Sequence, residues 1–123
     1  MNKVLEFNIG ELGFEAEAID SRYQAVAVIL SELNTSEVAS YIFNDLTSVP
    51  LETLSYVLSD QIDRWKVEFQ SNECSLIEYD WDDSGEPYIK EQHKLKSAEV
   101  IELIDSWKEW INQQELKGSG SVK

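Results

Sequence analysis

An alternating stretch broken by one tight turn restricts this chain to folds that contain an antiparallel β-sheet. The segment CSLIEYDW, residues 74–81, alternates apolar side chains with Glu78 and Asp80. DDSG follows it, a composition typical of a turn, and EPYIKEQHK then leads away as a second strand. Because successive side chains of a strand point to opposite faces, one face of this hairpin should be apolar and packed, and the other polar.

The loop of this hairpin is predicted at residues 83–85, and this choice fixes which side chains share a face. The face packed on the helices is then expected to carry Ile77, Tyr79, Trp81 and Ile89. Tyr88 falls on the opposite face, beside Asp80 and Asp82. A shift of one residue in the pairing would exchange the two faces, so the alternative assignment stays open.

The rest of the chain divides into further strands and four helices. Residues 5–18 alternate on both sides of Gly10 and predict an N-terminal hairpin, and VEF, residues 67–69, predicts a strand. The first helix is expected at residues 22–33, although its β-branched residues make a strand the competing interpretation. The other helices are expected on the apolar stripes Val38, Ile42 and Leu46; Leu51, Leu54, Leu58, Ile62 and Trp65, beginning at Pro50; and Val100, Ile104, Trp107 and Ile111, capped by Ser97.

The order ββαααβββα predicts an α+β fold, in which a small antiparallel sheet is packed on one face by about four helices. The strict alternation of strands and helices that a doubly wound fold needs is missing. A chain of 123 residues suits one domain, which we expect over residues 1–116. Residues 117–123, KGSGSVK, are expected to be a flexible tail or an expression remnant.

Acidic residues dominate the charge and restrict the partners. The chain has 24 Asp and Glu against 10 Lys and Arg, a net charge of -14. This excess repels phosphate backbones and anionic membranes, so we expect a basic protein as the partner rather than nucleic acid or a membrane. The single cysteine, Cys74, permits a reducing compartment. Neither a secretory signal nor an apolar stretch of membrane-spanning length is recognised, so we expect a cytoplasmic protein.

The turn region also matches the spacing of a calcium-binding loop. Residues 80–91 place Asp80, Asp82, Ser84 and Glu86 at alternate ligand positions, with Gly85 at the bend and Glu91 at the last position. These residues resemble an EF-hand loop, which implies a calcium-binding protein as an alternative function. Two features depart from that family: Pro87 stands where a β-branched residue is usual, and the flanks alternate like strands rather than helices.

No catalytic constellation is recognised, so neither enzyme activity nor a cofactor is expected. Cys74 and His93 could approach each other on paired strands, but no glycine-rich turn or oxyanion hole accompanies them. Cys74 is therefore interpreted as a buried hydrophobic residue and His93 as a surface residue. Phosphate-binding loops, dinucleotide fingerprints and the HExxH and GxSxG motifs are absent from the sequence.

Tyr88, which is expected to be exposed beside Asp80 and Asp82, indicates a contact surface for another protein. Tyrosine supplies apolar area and a hydroxyl group at a small entropic cost, and the carboxylates can meet Lys and Arg side chains of a partner. The alternative interpretation is an edge strand that charge keeps soluble.

A small, strongly acidic chain with no catalytic site and with residues such as YDWDDSGEPY resembles the bacterial immunity proteins of toxin and immunity pairs, including those of contact-dependent growth inhibition. The resemblance implies that the chain binds a basic toxin domain, such as a nuclease, and blocks its substrate channel with carboxylates. The expected contact residues are Tyr79, Asp80, Trp81, Asp82, Asp83, Glu86 and Tyr88. A second candidate region, residues 11–20, contributes Glu11, Glu15, Glu17 and Asp20. A DNA mimic or phage-type inhibitor is a further alternative, although the acidic residues form clusters rather than a regular row.

Overall fold

The computed structural model describes residues 4–11, 13–59 and 64–121, with side chains up to residue 117. The strands are β1 Leu5–Gly10, β2 Gly13–Ala18, β3 Ser55–Leu58, β4 Trp65–Gln70, β5 Glu73–Trp81 and β6 Pro87–Lys96. The helices are α1 Gln24–Glu32, α2 Ser36–Leu46 and α3 Ser97–Ser121. β1 and β2 form a two-stranded antiparallel sheet, and β3 to β6 form a second antiparallel sheet in the order β3-β4-β5-β6.

The α+β class is right, but the predicted single sheet with about four helices is wrong. Within the described residues the chain has two sheets and three α-helices, in the order ββααββββα. The helix predicted to begin at Pro50 is instead a short 3-10 turn, Leu51–Thr53, followed by β3. Trp65, assigned to the end of the same helix, begins β4, and Ile62 lies outside the described residues.

The burial pattern of β3 explains why the spacing of Leu54 and Leu58 predicted a helix where the structure has a strand. Leu54 and Leu58 are buried and Tyr56 is half-buried, whereas Ser55 and Val57 are exposed. Burial therefore alternates at every second residue, as it does in a strand with one packed face. Two leucines four positions apart satisfy a helical stripe and a strand equally well, so their spacing alone does not distinguish the two.

The main core lies between the helices and one face of the four-stranded sheet. Its buried members include Val67, Phe69, Cys74 and Leu76 from the sheet and Val26, Leu30, Ile42, Val100, Ile104 and Trp107 from the helices. α1, α2 and α3 confirm the first, second and fourth predicted helices. Five of the nine residues of α1 are buried, which explains why its apolar run also resembled a strand.

An aromatic cluster attaches the β1–β2 hairpin to α3. Phe7 lies 5.2 Å from Trp107 in an edge-to-face contact, Phe14 lies 5.5 Å from Trp110, and the two tryptophan rings stack at 5.7 Å, all between ring centroids. The indole N–H of Trp107 donates to the carbonyl of Leu33 at 2.7 Å in the buried interior. This one side chain therefore contacts the hairpin and bonds to the end of α1.

The start of α2 is held by side chains from two directions. Thr35 Oγ1 accepts from the Val38 N–H at 3.2 Å, as an N-cap residue does. From α3, the carboxylate of Glu115 accepts from the Ser36 N–H at 3.1 Å and also from the Ser36 hydroxyl. A negative charge at this position stabilises the helix, because unpaired N–H groups and the helix dipole make the N-terminus electropositive.

α3 includes residues 117–121, which the composition predicts as part of a flexible tail. The boundary between domain and tail at residue 116 stays a prediction. Within the part of the chain that the structure describes, no helix combines the length and the apolar composition that crossing a bilayer requires.

β6 forms one edge of the four-stranded sheet, and its side chains are exposed along most of its length. A bulge interrupts its pairing with β5, where Glu78 pairs with Glu91 and Tyr79 with Ile89, so that Lys90 is the additional residue. Lys94 and Lys96 follow on the same strand. Bulges and lysines both discourage pairing with another chain, so residues 90–96 have the features of a protected edge.

Candidate functional site: the β5–β6 arm

β5 and β6 extend past the end of β4 as a two-stranded arm. β4 begins at Trp65, which pairs with Glu78, and beyond this point one described backbone hydrogen bond of 2.7 Å joins the Tyr79 N–H to the Arg64 carbonyl. We call residues 79–89 the β5–β6 arm. The arm brings together all seven predicted contact residues: Tyr79, Asp80, Trp81, Asp82, Asp83, Glu86 and Tyr88.

The loop of the arm is residues 83–85, as predicted, and its own side chains fix it. The Asp82 N–H donates to the Glu86 carbonyl and the Gly85 N–H donates to the Asp82 carbonyl, both at 3.0 Å. Oδ1 of Asp82 accepts from the Ser84 N–H at 2.9 Å, from the Ser84 hydroxyl at 2.7 Å and from the Glu86 N–H at 2.9 Å. Gly85 has a φ of +86°, which residues with a Cβ rarely adopt. The DDSG composition therefore determines the shape of the tip.

The predicted assignment of the two faces is wrong. Cys74 and Leu76 lie in the core, so the alternation along β5 places Ile77, Tyr79 and Trp81 on the outer face, away from the helices. Leu76 and Ile77 are neighbours and both are apolar, so the sequence pattern fits either phase. Both side chains are buried, but Leu76 belongs to the main core cluster and Ile77 does not. The face that carries Leu76 is therefore the one packed on the helices.

The pairing with β5 shows that the faces predicted for β6 are reversed in the same way. Ile89 pairs with Tyr79 and shares its outer face, whereas Tyr88 pairs with Asp80 on the opposite face. Because the arm projects beyond the rest of the sheet, apolar side chains on both faces are exposed: Trp81 by 48%, Tyr88 by 47% and Ile89 by 53%. Tyr88 is therefore exposed as predicted, and Trp81 and Ile89 are exposed although packing was predicted for them.

Arg64 holds the arm at its base, and sequence reasoning missed it. Its guanidinium lies 3.3 Å from Oδ1 of Asp80 and 5.9 Å from the centroid of the Trp81 ring. An ion pair and a cation–π contact from one side chain restrict the freedom of both partners before anything binds. No local signal could have found this contact, because Arg64 is 16 residues from Asp80 and was assigned to a helix that does not form.

The carboxylates of the arm differ in their partners. Asp80 is paired with Arg64. Within the described residues Asp82, Asp83 and Glu86 form no ion pair, and Asp82 bonds only to groups of its own loop. The Ser84 hydroxyl, followed by the Glu86 N–H, holds the pKa of Asp82 below its usual value, so its charge persists into moderately acidic solution. Among the residues that the structure describes, the tip therefore presents three negative charges without a matching cation.

The calcium-binding alternative does not fit this geometry. A hairpin of two strands replaces the helix–loop–helix that an EF-hand needs, and Glu91 lies beyond the bulge with its carboxylate 3.3 Å from His93. The proposed ligands, Asp80, Asp82, Ser84, Glu86 and Glu91, do not converge. Among the described residues, no three Asp, Glu, His or Cys side chains come together as a metal site.

The second candidate region, residues 11–20, lies on the β1–β2 hairpin and the segment after it. Glu17 stands directly opposite Glu6 with both side chains exposed, a pairing that like charges make unfavourable. Asp20 caps the following turn by accepting from the Arg22 N–H at 3.0 Å. Phe14 packs on Trp110 rather than facing solvent, so the region offers carboxylates without the exposed ring that the arm provides.

Cys74 and His93 do not form a nucleophile and base pair. Cys74 is fully buried, pairs with Leu95, and has its thiol pKa raised to about 12 by burial. His93 lies on the exposed edge strand opposite Leu76. The interpretation of Cys74 as a buried hydrophobic residue is confirmed.

Comparison of the chain with protein-family models, curated proteins and solved structures finds no match, so its function is inferred from the geometry of the arm.

Proposed function

We propose that this chain is an immunity protein that binds and neutralises a basic toxin domain, and that the β5–β6 arm is its principal contact surface. The observation that supports this most strongly is the combination at the tip: a half-exposed tryptophan in contact with Arg64, next to three carboxylates that form no ion pair with any described residue. Exposed tryptophan and tyrosine are enriched among the residues that dominate binding energy in protein interfaces.

The net charge of -14 supports the same proposal over a longer range. A strongly negative protein attracts a basic partner from a distance and raises the rate of encounter, and the effect weakens as salt screens the charges. The toxin, being a nuclease or another basic enzyme, is inhibited when the acidic tip covers the cationic surface that its own substrate needs. A cytoplasmic location and the absence of catalysis by this chain belong to the same proposal.

Co-expression with the basic C-terminal domain encoded by an adjacent upstream reading frame tests the proposal. We expect a complex and protection of the cells from the toxin. The double variant Asp83→Lys/Glu86→Lys keeps every hydrogen bond of the loop described above, because neither of these side chains takes part in them. It should slow association roughly tenfold at low salt.

The matched control is Glu52→Lys/Glu102→Lys, which changes the net charge by the same amount at two exposed positions outside the arm. If both double variants slow association equally, the overall charge is important but the arm is not the contact surface. If the basic domain neither binds nor is inhibited, the proposal is wrong.

A further inference from the structure

A shallow groove of about 320 Å³ lies at the base of the arm, on its outer side. Its walls include Tyr79, Trp81 and Pro87 from the arm and Arg64, Trp65 and Lys66 from the start of β4. Two aromatic residues of the arm, Tyr79 and Trp81, and Pro87 therefore border a space on the surface that no described residue fills, while the Trp65 side chain packs against the core. Grooves of this composition suit a large apolar side chain.

The two cations beside the groove are already paired. Arg64 lies 3.3 Å from Asp80, and Lys66 lies 3.3 Å from Glu68. With the charged ends held by these acids, the aliphatic stems of both side chains add to the apolar wall. A basic partner therefore meets no excess positive charge from the described residues here. It also meets the carboxylates of Asp82, Asp83 and Glu86 at the tip of the same arm, which form no ion pair within the described part of the chain.

We propose that the groove receives one large apolar side chain of an extended basic segment, while Lys or Arg residues beside it contact the carboxylates at the tip. This inference rests on the proposed function and adds to it the chemistry of the recognised segment. The groove supplies the anchor, because burial of an apolar side chain persists when salt screens the charges. The charges supply attraction and orientation.

Two capped pentapeptides test the inference on the full chain: Lys-Lys-Leu-Lys-Lys, and its match with serine in place of leucine. Binding is measured by NMR from the Trp81 indole N–H and from the backbone amides of residues 83–86. At low salt both peptides should shift the tip amides, but only the leucine peptide should shift the indole signal. The leucine peptide should bind about fivefold more tightly, as partial burial of one leucine predicts.

Trp81→Ala should remove the difference between the two peptides, whereas Tyr88→Ala, an equally exposed ring on the opposite face, should preserve it. The inference that the groove binds an apolar side chain is wrong if both peptides bind the unaltered chain equally, or if the leucine preference survives Trp81→Ala. Either result leaves the electrostatic part of the proposed function unaffected. If neither peptide binds at low salt, the attraction of basic segments on which the proposed function depends has failed as well.

Discussion

At the scale of single residues, the tip of the arm is determined by very local chemistry. Asp82 accepts three hydrogen bonds from groups two and four positions ahead, and Gly85 supplies the left-handed backbone that the loop needs. Such contacts are readable from sequence, which is why the loop at residues 83–85 was predicted correctly. The Arg64 contact was not predictable, since it joins residues that only the folded sheet brings together.

The Asp82 carboxyl should titrate below the usual range of aspartate. Its folded pKa is lowered, so the stability that its ionised form contributes is present above the unfolded pKa and is lost as pH falls through the folded pKa. A pH titration followed by the carboxyl carbon signal of Asp82 measures this directly. Ser84→Ala, which removes the largest cause, should move the value part of the way back; a pKa at or above the ordinary value in the unaltered chain would contradict the described loop.

At the scale of elements, the local signals located most of the structure. Both hairpins and three of the four predicted helices were found, because amphipathic alternation, turn residues and caps lie within a few positions of each other. β3 was missed because Leu54 and Leu58 fit either period, and its identity depends on pairing with β4. The faces of β5 were reversed for a similar reason: Leu76 and Ile77 are both apolar, and only the packed core distinguishes them.

Trp107→Phe should weaken the attachment of the β1–β2 hairpin and of α1 to α3. The phenyl ring keeps part of the packing but leaves the Leu33 carbonyl buried without its donor. We expect the free energy of unfolding to fall by about 2 kcal/mol, measured by urea denaturation. Trp110→Phe, in the partly exposed neighbour, is the control and should cost less; an equal or larger loss there would mean that the Leu33 bond contributes little.

At the scale of the whole molecule, the negative charge is unevenly distributed along the chain. Residues 4–59 contain nine acidic side chains and one basic one, Arg22, whereas five of the ten Lys and Arg residues lie in residues 64–96, on or next to β4, β5 and β6. Local ion pairs therefore form mainly on the four-stranded sheet. The helices and the first hairpin contribute most of the uncompensated charge.

Salt should therefore stabilise the folded chain. Raising the ionic strength from about 10 mM to about 150 mM shortens the screening length from roughly 30 Å to roughly 8 Å, which reduces repulsion across the molecule more than it weakens the short surface pairs. We expect the Tm to rise by a few degrees in a thermal scan with sodium chloride. A Tm that falls over this range would show that the surface ion pairs outweigh the repulsion among the excess carboxylates.

The protected edge at β6 also indicates at which strand ordered association between chains would begin. A bulge and three lysines make that strand a poor template for a second chain, so its ten residues contribute little to ordered stacking. The other edge of the sheet, β3, has four residues and an exposed Val57 without a lysine among them. If concentrated protein forms fibrils, growth should begin at this short strand, and a lysine in place of Val57 should delay it.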